Sequence, residues 1–471
     1  MSDRDYILFE YEKSQGLLSS LGLEQAEKHS CLDSLSKLLD KYWNNDRGLI
    51  QQNKNDEGYL QRINDESGQQ ILQFNYRDYE IKAGGFVGVI QWNGLRITIL
   101  PKIFRNDSIN PNTLSNKEQH ELISRASNDL LFLLSYANML DLPKVPLTTL
   151  QQRENMDFFE LFIHIFAQIT NEVLKREQLH LYQTVEENKA VWRGKIMFHE
   201  HLKQNVINKR LDRFYCSFSI YQEDNLFNRI VKYVSTQLLE YTKNHENRLL
   251  LSQNLHYLDS VTNQACTRQD CEKVAFTRSQ QEFMPILNYC KLFLSHSLVN
   301  YNNHHNSIFL FMIDMSSLFE KFVGGFIHKN FHKKDGQEVI LQKSDLFLTE
   351  ENRFQLRHDI YMSRDKNPFA VIDTKYKSTD FHNSDGKAGI AQSDMYQMLS
   401  YCVRRKCDRG ILLYPAFYND SKEKEISYGI NDSFSNQRIS IEAKKIDLIR
   451  LPMSRKEKQQ YLFDAFKTVL Q

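Results

Sequence analysis

The sequence predicts a multidomain α+β protein: an N-terminal β-rich domain, a largely helical middle region, and a C-terminal α/β domain on a central mixed sheet flanked by helices. Three observations predict it. Apolar and polar residues alternate through "GGFVGVIQWNGLRITILPKIF", the two-residue period of strands. The period lengthens to three and four in "MDFFELFIHIFAQITNEVLKREQ" and "NLFNRIVKYVSTQLLEYTKNH", which is helical. Beyond residue 300, strand-like and helical runs alternate. At 471 residues the chain is long enough for two or three cores, with expected boundaries at 1–125, 126–300 and 301–471.

Taken in order, "LDSLSKLLDKYW" reads as a helix. Phe86–Gln91 and Leu95–Leu100 flank Asn93-Gly94, the dipeptide that accepts the positive φ angles of a tight hairpin, and Pro101 ends the second strand. "NDLLFLLSYANML" opens the helical region, which "VEENKAVWRGKIMFHEHL" interrupts as a short strand excursion around Gly194. The C-terminal part carries helices over 314–330 and 387–406, then the strand "GILLYP".

Sixty basic side chains against 59 acidic give a formal net charge of +1. No global positive field marks a nucleic-acid binder, yet a local basic face remains compatible with that balance. The seven cysteines are scattered without CxxC spacing, so they read as reduced cytosolic thiols rather than disulfides or zinc ligands. The start, "MSDRDYILFEYEKS", lacks the basic-then-apolar order of a secretion signal. The longest apolar run, "LLFLLSYANML", is too short for a bilayer span. A cytoplasmic protein without a membrane anchor is expected.

The chemistry concentrates in "RHDIYMSRDKNPFAVIDTKYKS". Two strand-like runs flank "SRDKNP", whose Asp, Asn and Pro favour a reversal. A turn centred on Lys366 sets Asp359 opposite Asp373, with Cβ atoms about 5 Å apart. Two carboxylates at that spacing repel, and a divalent cation with hard oxygen ligands is the economical compensation. The strand period puts Lys375 on the face of Asp373, where an ammonium can orient water or stabilise charge building on a phosphate. The bare acid-x-Lys pattern is weak evidence, because Glu187-Asn188-Lys189 and Glu442-Ala443-Lys444 match it too. Asp373-Thr374-Lys375 differs in following the apolar run Phe369–Ile372 and in having a second acid on the facing strand. Glu320, on the helix "MSSLFEKFVGGFIHK", is a candidate further ligand or else a solvated helix carboxylate. Gln397 and Tyr401 lie four residues apart on one helical face, a pair suited to gripping a nucleic-acid strand or to a buried polar contact.

Glu320, Asp359, Asp373-Thr374-Lys375 and Gln397-x-x-x-Tyr401 together resemble the PD-(D/E)xK nuclease superfamily, and the Gln/Tyr element is similar to that of its RecB-like branch. His358 stands where that superfamily usually has proline, a change in backbone shaping rather than in ligand chemistry. From about residue 80 to 415 the order of segments, including "LLFLLSYANML", "SSLFEKFV" and "DMYQMLSYC", resembles the McrC family, nuclease subunits of McrBC-type modification-dependent restriction systems. Nothing is carried over to the first 75 residues.

The resemblance implies a restriction-endonuclease-like C-terminal domain and a Mg²⁺-dependent endodeoxyribonuclease, with Mn²⁺ substituting. Its metal ligands would be Asp359, Asp373 and Glu320, with Lys375 beside them. It also implies a partner, an McrB-type AAA+ GTPase hexamer whose GTP hydrolysis the chain stimulates, and double-stranded, modified DNA as substrate. No GxxxxGK[ST] loop occurs in the sequence, so this chain is expected to bind no nucleotide itself. Trp92, Asn93 and Arg96, at the hairpin tip, are the candidate partner-facing residues or else parts of a plain structural hairpin. Arg193 and Lys195, beside Gly194, are candidates for DNA phosphates or else a solvated edge. Two other readings stand beside this one: an autonomous repair or defence nuclease, and a catalytically silent DNA-binding assembly subunit.

Overall fold

A computed structural model describes residues 4–14, 28–39, 71–137, 158–296, 308–448 and 454–471, less positions 31, 38, 76, 78, 93, 94, 335, 382–386, 419–424 and 433–436. Asn93-Gly94 and Cys31 therefore lie outside the described residues. The chain forms two compact units, residues 1–161 with 295–471, and residues 162–294. This differs from the three consecutive segments read from the sequence, and strand pairing explains why.

In the first unit β1 (Arg4–Phe9) pairs in parallel with β5 (Leu95–Leu100), and β5 pairs antiparallel with β4 (Phe86–Trp92). β9 (Ile308–Asp314) then runs antiparallel along all of β4, from Phe86↔Asp314 to Trp92↔Ile308. The first strand after the helical region thus completes the N-terminal sheet and ties the two ends of the chain into one unit. Gly88 permits this approach: its φ is +147°, and a Cβ there would lie 1.8 Å from the Phe311 carbonyl oxygen. Phe86, Ile90, Ile97, Ile99 and Met312 form part of the core of this sheet. β2 (Leu72–Asn75) and β3 (Glu80–Ala83) make a separate antiparallel pair.

The same unit holds a six-stranded mixed sheet. Its order is β10 (Gln337–Phe347), β11 (Gln355–Arg364), β12 (Asn367–Thr374), β13 (Arg409–Pro415), β15 (Gln437–Ile446) and β14 (Glu425–Asp432). β12, β13 and β15 are parallel neighbours, and the pairs toward either edge are antiparallel. Parallel strands need a crossover, and the helix Gln392–Arg405 supplies it between β12 and β13. That helix packs Met398, Tyr401 and Cys402 against Val371, Leu412 and Ala443. Gly410 lets it come close, since a Cβ would sit 2.7 Å from Met398 Cγ. Burying side chains such as Val371 and Leu412 contributes about 1.5–3 kcal/mol each. The helix Met315–Phe331, capped by Asp314 through Ser316 N at 2.9 Å, lies against β10, β11 and β12. The helix Arg455–Leu470 meets it through stacked Phe326 and Phe466 rings, 5.0 Å apart.

The second unit is mainly helical, with Leu226–Tyr241, His245–Tyr257 and Met284–His296 around a core that includes Phe227, Tyr289 and Phe293. Asn225 caps the first of these through Asn228 N. The strand excursion is a three-stranded sheet, β6 (Leu181–Lys189), β8 (Phe214–Gln222) and β7 (Lys195–Ile196). Gly194 turns into it at φ +72°, where a Cβ would meet Ser217 O at 2.4 Å. The six described cysteines are free and buried. Burial pushes the Cys271 and Cys402 thiols up to about 12, so neither is a ready nucleophile. Among the described residues no helix is long and apolar enough to cross a membrane.

A carboxylate and lysine site on two paired strands

The hairpin that carries the acids forms between Arg364 and Asn367, paired directly across the turn. A register shift between Met362 and Ser363 makes Phe369 the extra, bulged residue, so deeper in the hairpin Ile360 faces Ile372. One step beyond that pair stand Asp359 and Asp373. The turn centre differs slightly from the Lys366 expectation, and the bulge restores the expected alignment of the two acids.

Each acid has its own partner. Asp359 Oδ2 accepts from Thr374 N at 2.8 Å and Thr374 Oγ1 at 2.9 Å. Asp373 is 3% exposed, and its Oδ2 lies 2.8 Å from Lys375 Nζ. Lys375 also donates to Gln397 Oε1 at 3.0 Å, while its backbone N continues the pairing to Leu413 O at 2.9 Å. Gln397 Nε2 donates to Tyr401 Oη at 2.7 Å, and Tyr401 Oη donates to Arg357 O at 2.7 Å. Glu320 Oε1 accepts from Gln342 Nε2 at 2.5 Å.

The Gln/Tyr pair makes the buried polar contact that is the second of its two readings. Gln397 spends its carbonyl on Lys375 and its amide on Tyr401, and Tyr401 is buried with its hydroxyl engaged. They form a relay that fixes Lys375 relative to β11. His358 is fully buried beside them, its ring 4.4 Å from that of Tyr401 and its Nδ1 at 3.0 Å from Lys343 O. The two decoys resolve as ion pairs. Lys189 meets Glu187 at 2.7 Å on a half-exposed strand, and Glu442 is held by Arg409 at 2.8 Å and Lys444 at 3.0 Å.

Trp92 and Arg96 correct the hairpin-tip expectation. Trp92 is buried in the core of the N-terminal sheet, because β9 covers β4 to its last residue. Arg96 is 3% exposed, with Nη1 3.6 Å from Glu160 Oε1 and its guanidinium over the Phe159 ring. Neither faces solvent. Arg193 and Lys195 are exposed, as a phosphate contact requires, although the Arg193 guanidinium rests on the Phe218 ring at 4.7 Å.

Asp394 is the residue that sequence reading missed. It is 5% exposed, with Oδ1 3.6 Å from Lys375 Nζ and Oδ2 3.2 Å from Lys377 Nζ. Its signal was present: Asp394, Gln397 and Tyr401 fall at i, i+3 and i+7, one helical face.

Burial, then the Asp359 charge, pushes the Asp373 carboxyl up to about 7 despite Lys375. The same two causes raise Glu320 to about 7 against Arg357 and Lys321. Lys375 is held above its ordinary value because, although burial opposes its charge, Asp373 and the neighbouring acids outweigh it. Carboxyls raised on folding bind more protons in the native state, so stability falls as pH climbs from the unfolded values toward about 7. In chelator, the unfolding midpoint of the protein is expected to drop between pH 5 and pH 7.5. Asp373→Asn should flatten that drop; parallel curves for the two proteins would contradict this electrostatic account.

The donors fit a hard divalent cation in chemistry: the proposed ligands Asp359, Asp373 and Glu320 offer oxygen only, and the Asp359 charge raises both of the other carboxyls. In the arrangement present, Asp359 and Asp373 are turned to Thr374 and Lys375. Among the described residues no group of three or more His, Cys, Asp or Glu is arranged as a ligand set.

Fold and site define a class: a two-unit α/β protein in which an acid within one strand of a mixed sheet faces an acid at the end of the next, with a lysine just beyond it. Residues 81–415 match the family described as McrBC 5-methylcytosine restriction system component. A chain in the refined half-complex from the tetradecameric assembly of Thermococcus gammatolerans McrB AAA+ hexamers with bound McrC has a similar fold. The TM-score is 0.69 at 19% identity, over 98% of this chain and 100% of that one. A chain of the Thermococcus gammatolerans McrBC complex gives 0.50 at 20% identity, over 70% of this chain and 89% of that one. No curated protein matches the chain. With well over half its length matched, the chain belongs to the family of McrBC restriction system components.

Proposed function

We propose that the chain is the DNA-cleaving subunit of an McrBC-type restriction assembly. In this reading its six-stranded sheet is a PD-(D/E)xK nuclease core working in the cytoplasm. One observation carries the reading: Asp359 and Asp373 stand at neighbouring positions on paired strands, with Lys375 held beside Asp373 by Gln397. Asp359, Asp373 and Glu320 would hold Mg²⁺, which supplies Lewis-acid stabilisation of the phosphate and a more acidic bound water. Lys375 places a positive charge where negative charge grows on the scissile phosphate. The Gln397–Tyr401 relay keeps that ammonium in place. Arg193 and Lys195 would contact DNA phosphates, a sequence-independent role.

The partner would be an McrB-type AAA+ GTPase hexamer, the protein with which the similar Thermococcus gammatolerans chains are assembled. With Trp92 and Arg96 buried, the surface for it is sought elsewhere. Tyr182, Val191, Trp192, Phe198, Ile207 and Leu211 are all exposed on the second unit, more large apolar area than a solvent-facing surface usually carries in one stretch. Reconstitution tests both parts. Purified chain, GTPase partner, GTP, Mg²⁺ and methylated DNA together should give cleavage, and omission of any protein, nucleotide or metal should remove it. Trp192→Ala with Ile207→Ala should weaken partner binding by about tenfold or more. Vigorous cutting by the chain with Mg²⁺ alone would instead identify an autonomous nuclease. Absence of Mn²⁺ binding would identify a silent subunit.

A further inference from the structure

Asp394 is a buried carboxylate whose side-chain oxygens meet two lysine ammonium groups, Lys375 and Lys377. A charge so enclosed is costly unless it is paired, so its place on the helix face that also carries Gln397 and Tyr401 calls for a role. Lys375 lies between two acids, 2.8 Å from Asp373 Oδ2 and 3.6 Å from Asp394 Oδ1, with Gln397 Oε1 at 3.0 Å between its options. Lys377, whose side chain is 57% exposed, shares Asp394 but can discharge into solvent.

We propose that Asp394 is a positioning residue that receives the Lys375 ammonium from Asp373, freeing the Asp373 carboxylate to bind a divalent cation. This rests on the metal-dependent reading above. Lys375 and a cation compete for the same carboxylate oxygen, and like charges cannot crowd one carboxylate without cost. A second buried acid within one small side-chain movement lowers the cost of the exchange. Gln397 already accepts from that ammonium at 3.0 Å, a third contact that belongs to neither acid. The handover also leaves Lys375 in the site, close to where the phosphate would lie, instead of displacing it to solvent. Asp394 therefore acts through Lys375 and touches neither substrate nor cation.

The test is Mn²⁺ binding to the whole chain by titration calorimetry, without DNA or partner. Asp394→Asn should weaken Mn²⁺ binding about tenfold, while Asp394→Glu restores most of it. The Lys375→Met background separates positioning from a simple field effect. There Asp373 has no ammonium to release, so adding Asp394→Asn should leave Mn²⁺ affinity unchanged. An equal loss in both backgrounds would overturn the handover in favour of long-range attraction, and no loss in the wild-type background would overturn it outright. If Asp394→Asn does not fold, Asp394→Ser is run through the same cycle. Wild-type protein that binds no Mn²⁺ would overturn the metal-dependent reading itself, and this inference with it; binding that is insensitive to Asp394 overturns this inference alone.

Discussion

DNA cleavage by the reconstituted assembly is expected to fall by roughly 10²–10³-fold when Lys375 becomes alanine, and at least as far when Asp373 becomes asparagine. The reason is positional. Lys375 is held on three sides, by Asp373, Gln397 and the edge of β13 through its own backbone. Once a cation has taken Asp373, Gln397 and Asp394 still hold the ammonium in the site, and that preorganisation is the part of its effect an alanine removes. Asp373 is 3% exposed, so a neutral amide of the same shape keeps the packing while removing the charge that a cation needs. Both variants should retain partner assembly and GTPase stimulation. The exposed apolar residues proposed to meet the partner belong to the second compact unit, and these substitutions leave them intact. Initial cleavage rates on a methylated duplex, measured beside GTP turnover in the same samples, give the comparison. Cleavage that survives in both variants would remove the site from these strands altogether. A joint loss of cleavage and GTPase stimulation would point to misfolding rather than lost chemistry.

The parts of this site legible in the sequence are those set by local rules. The two-residue period and a turn rich in Asp, Asn and Pro place Asp359 beside Asp373, even though the actual turn is one residue tighter and a bulge at Phe369 absorbs the difference. The helix carrying Gln397 and Tyr401 is legible from its period, and a buried polar contact is one of the two uses their spacing allows; that the contact is with Lys375 depends on which neighbour β12 presents across the crossover. Asp394 shares their helical face, but an acid in the first turn of a helix already has a sufficient local explanation in the helix dipole. At the fold level, β9 shows the limit. Nothing within "IFLFMID" says that it pairs with β4, more than 200 residues earlier in the chain. That pairing covers Trp92, while β1 alongside β5 and the contacts with Glu160 and Phe159 enclose Arg96, so both are interior residues. Long-range pairing thus redrew both the domain boundary and the candidate partner surface.

The second large effect expected is on folding. Lys458, on the C-terminal helix, forms an ion pair with Asp129 of the helix Asn116–Leu134, and the two side chains are 5% and 3% exposed. Lys458→Ala should destabilise the protein by about 3–5 kcal/mol, because it strands a buried carboxylate without its counter-ion. The double variant Asp129→Leu with Lys458→Met should recover most of that loss, since an apolar pair of similar volume needs no desolvation to be repaid. Burial already raises the Asp129 carboxyl above its ordinary value, with Lys458 working against that rise. Removing Lys458 raises it further. An acid whose native value is raised favours folding at low pH and loses that benefit as pH climbs through its unfolded value. The deficit of Lys458→Ala should accordingly be small near pH 5 and largest at pH 8, whereas the double variant should show no such slope. Urea unfolding of the three proteins at both pH values measures this directly. A deficit of equal size at pH 5 and pH 8 would mean that the lost stability is packing of the lysine stem over Phe132, 5.8 Å from the ammonium, and not the ion pair.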